Sequence, residues 1–454
     1  MSIKKSENPQ KNPALVPIHF LWPFILLTSL FAWWGLANNM TDTLLAAFKR
    51  IMSMSDSQTA LIQVVFYGAG YGLLALPAAI FIKKYSYKSG VLLGLGLYSI
   101  GALLFFPAKL TASFTWFLAA LWILSGGLSI LETAANPYII TLGPEETGTR
   151  RLNLAQSFNP IGSIMGVVIS QRFILSRLNA ASADERAAMD TVRLQSIQNS
   201  ELNAVTMTYV TVGLILAVTW ILIAANKSMQ NSRELGGPLD LKATFKRLIK
   251  NRHYTWGVIA QFFYVGAQIG VWSFTIRYVM QELHLEELLR AGMIPEGKTV
   301  EQVAAGYYTA ALILFTLSRF VCTWLMRYVT PANLLTVLAG LATVLTGTVI
   351  FIGGHVGVYA LVGISACMSL MFPTIFGLAC RNLGEDTKLG GSGLIMAILG
   401  GAVITQIQGI VSDVTGSINM AYLVPLICFL VIAYYGAIER KKNVVSSSVE
   451  IGDG

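Results

Sequence analysis

Apolar residues in this chain run in stretches of about 20 or more, the length a membrane helix needs, and lack the short alternation of a membrane-crossing strand. Twelve such stretches stand at 18–48, 57–82, 88–108, 114–141, 150–176, 203–225, 254–281, 302–326, 332–352, 356–381, 390–413 and 418–438. The pattern predicts an all-α integral membrane protein with twelve transmembrane helices. The longest connection predicted to be cytoplasmic, 226–253, breaks at Gly236-Gly237-Pro238 and then carries a basic amphipathic stretch, Leu241–Ile249. That stretch suits either a membrane-surface helix or a solvated linker helix. It divides the chain into six spans and six spans.

Polar residues inside the spans carry the functional signal. Asp42 and Glu132 are the two carboxylates lying well inside apolar stretches, in FAWWGLANNMTDTLLAAF and ILSGGLSILETAANPYII. A charged group near the bilayer midplane is costly, so it marks an ion or substrate route. In span one, Gly35, Asn38, Asn39 and Asp42 share a helical face, and span four repeats the arrangement with Ser125, Ser129, Glu132 and Asn136. Span two adds Gln63, Tyr67 and Tyr71, span five Asn153, Gln156, Asn159 and Ser163, and span seven Gln261, Tyr264, Gln268 and Trp272. An isolated amide reads as interhelical glue. Asn39 with Asp42, and Glu132 with Asn136, read as cavity, because a carboxylate needs water or partners that packing does not supply.

This chemistry suits a neutral polyol. Amides and carboxylates engage paired hydroxyls, and Trp and Tyr faces stack on the apolar side of a sugar ring. Basic residues, which an anionic substrate would call for, are nearly missing from the spans. Arg277 sits near a span end, and Arg319, inside span eight, is expected to serve helix-end carbonyls. Taking a carboxyl group out of water favours proton binding, so Asp42 and Glu132 are candidate proton carriers for sugar:proton symport.

Composition narrows the setting. With 54% hydrophobic and 12% charged residues and a mean hydropathy of +0.62, the chain cannot coat a soluble domain. The net charge of +9 lies mostly in loops predicted to be cytoplasmic: Lys83, Lys84, Lys88, Arg150, Arg151, the linker between Lys227 and Arg252, and Arg440–Lys442. It reads as topology, with no nucleic-acid partner. Met1–Pro17 carries Lys4, Lys5 and Lys11 without a cleavage-site pattern, so the first span is expected to be retained. Cys322, Cys367, Cys380 and Cys428 read as buried structural cysteines, and His19, His253, His284 and His355 as span-end residues, leaving no metal site. GxSxG, HExxH and GxxxxGK[ST] do not occur, so neither an enzyme nor a nucleotide-driven pump is read here, and no cofactor is expected.

The two halves echo each other weakly, in Leu142-Gly143-Pro144-Glu145-Glu146-Thr147 after span four and Leu383-Gly384-Glu385-Asp386-Thr387 after span ten. Two six-helix halves are the hydropathy pattern of the major facilitator architecture. Specific strings extend the likeness: LETAANPYIITLGPEETGTRRLNLAQSFN (131–159), ANNMTD (37–42), KKYSYKSG (83–90), AQFFYVGAQ (260–268) and GGHVG (353–357). With these the chain closely resembles the L-fucose:proton symporter branch of the major facilitator superfamily, from about Pro17 to Tyr434. The resemblance implies twelve helices around a central cavity, an inner-membrane location and proton-driven uptake of a hexose. It also implies that Asp42 and Glu132 are the protonatable carboxylates and that Asn39, Gln156 and Asn159 line the cavity.

The expected organisation is a cytoplasmic tail at 1–17, a six-helix bundle at 18–225, a linker at 226–253, a second six-helix bundle at 254–438 and a cytoplasmic tail at 439–454. A monomer with a neutral sugar, protons and the bilayer as partners is expected. The candidate substrate-binding set is Asn39, Glu132, Asn136, Gln156, Asn159, Gln261, Tyr264, Gln268, Trp272 and Phe372. One departure bears on the substrate. Met371-Phe372 precedes Pro-Thr-Ile-Phe where the branch is expected to have Gln-Tyr, which removes two hydrogen-bonding groups from a wall that would select among sugar hydroxyls. KKYSYKSG also holds only part of the superfamily's basic-glycine loop signature. Symport of galactose, glucose, mannose or N-acetylglucosamine therefore stands as an alternative. A membrane sensor would be expected to bring a soluble output domain, and a proton-linked exporter an apolar cavity.

Overall fold

The computed structural model describes residues 14–52, 62, 64–111, 113–179, 186, 188–226, 241–291 and 300–452. Ten helical stretches among the described residues are long and apolar enough to cross a membrane. In the first half the helices are α1 (Leu21–Ile51), α2 (Leu73–Lys84), α3 (Tyr87–Leu103), α4 (Phe105–Thr111), α5 (Phe114–Thr141), α6 (Gly148–Gln156), α7 (Asn159–Phe173) and α8 (Thr191–Ala225). The linker contributes α9 (Leu241–Lys250). The second half contains α10 (Arg252–Glu282), α11 (Leu285–Arg290), α12 (Val300–Leu325), α13 (Pro331–Phe351), α14 (Gly354–Met368), α15 (Met371–Ala379), α16 (Thr387–Met396), α17 (Gly400–Thr415), α18 (Ile418–Ala421) and α19 (Leu423–Gly452). The two expected spans outside the ten are irregular. Span two winds as a π-helix over Val64–Gly72 before α2, with 57–61 and 63 outside the described residues, and span five is divided into α6 and α7.

In lipid the helices gain little from the hydrophobic effect and must pack closely, so small residues mark their contacts. A Cβ on Gly94 of α3 would stand 2.6 Å from the backbone nitrogen of Leu131 on α5, while Gly35 of α1 abuts the Asn159 carbonyl of α7. These contacts fix α3 on α5 and α1 on α7.

Prolines explain two of the breaks. Pro160, near the start of α7, has no N–H to donate to Gln156, and Pro373 in α15 has none for Ser369, so each leaves a carbonyl without its helical partner.

The halves meet at the end of the bundle that carries the 142–147 and 383–387 connections. Asn153 Nδ2 of α6 donates to Thr374 Oγ1 of α15 at 3.1 Å, and Thr149 lies against Gly377. The Phe158 and Phe320 rings meet edge to face at 6.0 Å. Nearby, α9 joins both halves. Lys83 Nζ donates to Thr244 Oγ1 at 3.2 Å, and the Arg247 guanidinium grips Asp386 with bonds of 2.8 and 2.7 Å. The linker is therefore a packed strut over its described part, although the sequence left a freely solvated helix equally open.

At the opposite end, the early turns of α8 meet the end of α1. Gln198 Nε2 caps the Ile51 carbonyl at 2.8 Å, and Glu201 forms a buried two-bond pair with Arg186 at 2.9 and 2.5 Å. Removing one member of so buried a pair leaves an uncompensated charge.

Candidate functional site

Glu132 lies in the lower part of α5, 3% exposed, and neither carboxylate oxygen has a hydrogen-bond partner. One turn on, Asn136 Nδ2 donates back to the Glu132 carbonyl at 3.1 Å. The Asn136 Oδ1 accepts from Gln156 Nε2 of α6 at 2.7 Å. Asn136 thus links the span-four stripe to Gln156 of span five, one turn from the Glu132 carboxylate. Among the described residues no cation balances an ionised carboxylate here, and protonation removes that uncompensated charge.

Asn39 and Asn159 belong to the neighbouring α1–α7 pair. Asn39 Nδ2 donates to the Gly35 carbonyl at 3.2 Å, Asn159 Nδ2 to the Phe31 carbonyl at 3.3 Å, and Ser163 Oγ to Gly35 at 3.4 Å. Asp42 is on α1, and its side chain, with those of Asn38 and Tyr67 and the whole of Gln63, lies outside the described part of the structure. Tyr71 accepts the Trp34 indole N–H at 2.5 Å, which ties span two to α1.

The second half presents rings. Tyr264 turns its hydroxyl inward to the Met368 carbonyl at 3.1 Å and sets its ring edge to face with Phe372 at 6.2 Å. Phe372 stacks in turn on Phe376 at 6.5 Å. Trp272 donates its indole N–H to Ser365 Oγ at 3.2 Å and packs on Phe315 at 5.0 Å. Gln268 is half-buried on α10, and Gln261 is fully buried with both amide atoms unpartnered. A buried amide of this kind calls for a bound water or another polar partner.

Arg319 joins the two regions. Its Nε donates to the Ser369 carbonyl, its Nη1 to the Gln156 carbonyl at 2.9 Å, and its guanidinium lies 4.5 Å over the Phe315 ring. Those two carbonyls are the ones that Pro373 and Pro160 leave without helical donors. One buried guanidinium therefore serves a proline-broken helix from each half. Helix-end carbonyls were the expected partners of Arg319. That the two lie in different halves was not legible, although the Asn159-Pro160 and Phe372-Pro373 pairs were a usable signal. Asn153 and Thr374, which cross the seam directly, were also missed as a pair.

Cys322, Cys367, Cys380 and Cys428 are buried and free. Among the described residues, no group of His, Cys, Asp and Glu is arranged to hold a metal ion.

The sequence profile of the Major Facilitator Superfamily matches residues 24–405. The chain belongs to this superfamily. It has the major facilitator fold, with twelve membrane helices in two six-helix halves. It is 41% identical over 438 residues to the L-fucose-proton symporter of Haemophilus influenzae, covering 94% of this chain and 98% of that one. It is 34% identical to the glucose/galactose transporter of Brucella abortus, covering 91% and 93%. The crystal structure of the transporter FucP in the outward conformation matches with a TM-score of 0.82 at 40% identity, covering 93% of this chain and 99% of that one. These relatives are named as transporters, and this superfamily member is a multi-pass membrane protein.

Proposed function

We propose that the chain imports L-fucose together with protons by alternating access. The observation that carries this reading is the buried Glu132 carboxylate, without a hydrogen-bond partner among the described residues and one helical turn from the Asn136–Gln156 amide pair at the seam between the halves. In this reading Glu132 and Asp42 hold the proton. Asn39, Asn136, Gln156 and Asn159 engage sugar hydroxyls, and Tyr264, Trp272 and Phe372 present faces to the ring, with Gln261 and Gln268 behind them. The 41% identity to L-fucose-proton symporters along nearly the whole of both chains supports fucose as the substrate.

The protein acts as a monomer in the inner membrane with both termini cytoplasmic, the halves spanning 18–225 and 254–438 around a linker at 226–253. With that topology the inter-half contacts lie on the cytoplasmic side, and they support an outward-facing arrangement. A second reading, symport of another neutral hexose, is favoured by one observation: Met371 and Phe372 offer no amide or phenol, and both are buried, at 0% and 8% exposure.

Proton movement decides between them. Purified protein in proteoliposomes with a weakly buffered outer medium is given L-fucose, galactose, glucose and N-acetylglucosamine in turn. Alkalinisation of the medium with L-fucose alone supports the proposal. Alkalinisation with another sugar alone transfers it to the second reading, and silence with all four, from folded protein, rejects symport of these sugars.

A further inference from the structure

A cavity of about 310 Å³ lies away from the seam, between α1, α7 and α8. Its α8 wall is a stripe of Asn203, Met207, Thr211 and Ile215, four residues apart, which spans about 18 Å at 1.5 Å per residue. Half of a hydrocarbon core of about 30 Å is about 15 Å, so this slot runs the depth of one leaflet. The facing wall is Met165, Ile169 and Phe173 on α7, and Trp33 and Leu36 on α1 form the floor. Met165, Phe173, Met207 and Ile215 are 43–50% exposed, so the slot opens sideways toward lipid.

Its two polar-looking wall residues are apolar in effect. Thr208 and Thr211 hydroxyls donate to the Ala204 and Met207 carbonyls of their own helix, each at 2.8 Å, leaving methyl groups for the slot. Polarity concentrates at one end, where the α7–α8 connection begins. Arg177 lines the slot there, and Lys109 Nζ, from the end of α4, donates to Asn203 Oδ1 at 2.6 Å. An apolar slot one leaflet deep with two cations at its interfacial end matches the shape and charge of a phospholipid. A guanidinium and an ammonium pair with phosphate oxygens, and the chain fills the slot.

We propose that this slot is a binding site for an anionic phospholipid, with one acyl chain between α7 and α8 and the headgroup phosphate at Arg177 and Lys109. The site bears on transport through α1. Trp33 lines the slot, whereas the adjacent Trp34 donates to Tyr71 on the side facing span two. A seated chain therefore props the helix that also carries Asn39 and Asp42.

Native mass spectrometry of the full-length protein in detergent, offered phosphatidylglycerol, phosphatidylcholine or inorganic phosphate, tests the site. The expected result is a retained phosphatidylglycerol adduct favoured over phosphatidylcholine. The combined change Arg177→Gln and Lys109→Gln should lower that preference by about fivefold per cation. Ala204→Phe, which fills the slot and keeps both cations, should lower retention of both lipids. Equal retention of the two lipids by the unaltered protein, or a preference that survives loss of both cations, overturns the proposal. Inorganic phosphate binding that competes with lipid and ignores Ala204→Phe also overturns it, reducing the site to an ion site. A second measurement is independent of the folding of Ala204→Phe. Phosphatidylglycerol with brominated chains, in proteoliposomes, should quench emission that is missing from Trp33→Phe; equal quenching in both proteins rejects the slot as the chain's seat.

Discussion

The halves meet the seam with different chemistry. The first brings the Glu132 carboxylate, the bonded amide pair of Asn136 and Gln156, and Asn153. The second brings Tyr264, Trp272, Phe315 and Phe372, and of these Tyr264 and Trp272 turn their polar atoms into their own half, to Met368 and Ser365. In the proposed function, hydroxyl recognition and proton binding belong to the first half, and the shape and apolar face of the ligand to the second. On that proposal proton coupling rests on the first half alone, while turnover needs the seam to open. The contrast can be broken at either side or at the join.

Removing the carboxylate should have the largest effect. Glu132→Gln keeps the shape and cannot exchange a proton. An inward gradient of one pH unit is about 1.4 kcal/mol, or about tenfold accumulation for each proton carried. The variant should lose this uphill component and bring sugar only to equal concentrations, while exchange of labelled for unlabelled sugar continues. Uptake against the gradient at the unaltered level would remove Glu132 from coupling.

The join comes next. Arg319→Met leaves the Gln156 and Ser369 carbonyls buried without donors, at a cost of about 1–3 kcal/mol each. Thermal unfolding should move down by several degrees, and because one of the two bonds crosses the seam, the closed end should also open more readily. Cysteine labelling at Thr149→Cys, which lies against Gly377, reads that opening. Arg319→Lys should restore little, since an ammonium cannot present the planar fork that reaches two carbonyls. Unchanged labelling in Arg319→Met would make Arg319 a packing residue rather than a tie between halves.

Much of this was readable in the sequence, and the boundary has a physical cause. Spans follow from runs of apolar residues, and Glu132, Asn136 and Gln156 were found because a helical face and a costly buried charge are local properties. What joins the halves was not local. Arg319 lies 163 residues from Gln156 and 50 from Ser369, and no periodicity encodes that convergence. Gln261 shows a different limit: it shares a stripe with Tyr264 and is buried with both amide atoms unpartnered, and a polar stripe on one helix does not say which neighbour covers it. The strut made by α9 was half visible as a basic amphipathic stretch, with its anchor Asp386 on another segment.

The second half is tested more gently. Met371→Gln with Phe372→Tyr adds an amide and a phenol to the aromatic side. If Phe372 lines the ligand, preference should move toward L-fucose over galactose by a few-fold to tenfold, the range expected when one or two hydroxyl partners are gained. Competition of each sugar against labelled fucose measures it. An unchanged ranking would assign selection to the amides of the first half.

The smallest effect is expected at α9, where the Arg247–Asp386 pair holds the linker to the second half. Asp386 is held below the usual carboxylate range by the hydrogen bonds from Arg247, against a smaller opposing effect of burial. A carboxyl lowered in the folded state contributes its stabilisation in full above its ordinary range and loses it as pH falls through the lowered value. Arg247 is 58% exposed, so solvent screening limits the contribution to less than about 1 kcal/mol. Asp386→Asn should therefore shift the balance of the two access states less than fivefold at neutral pH, and the difference from the unaltered protein should vanish in acid and in high salt. A difference that persists under both conditions would mean that Asp386 acts through the fold of the 383–387 turn and not through its charge.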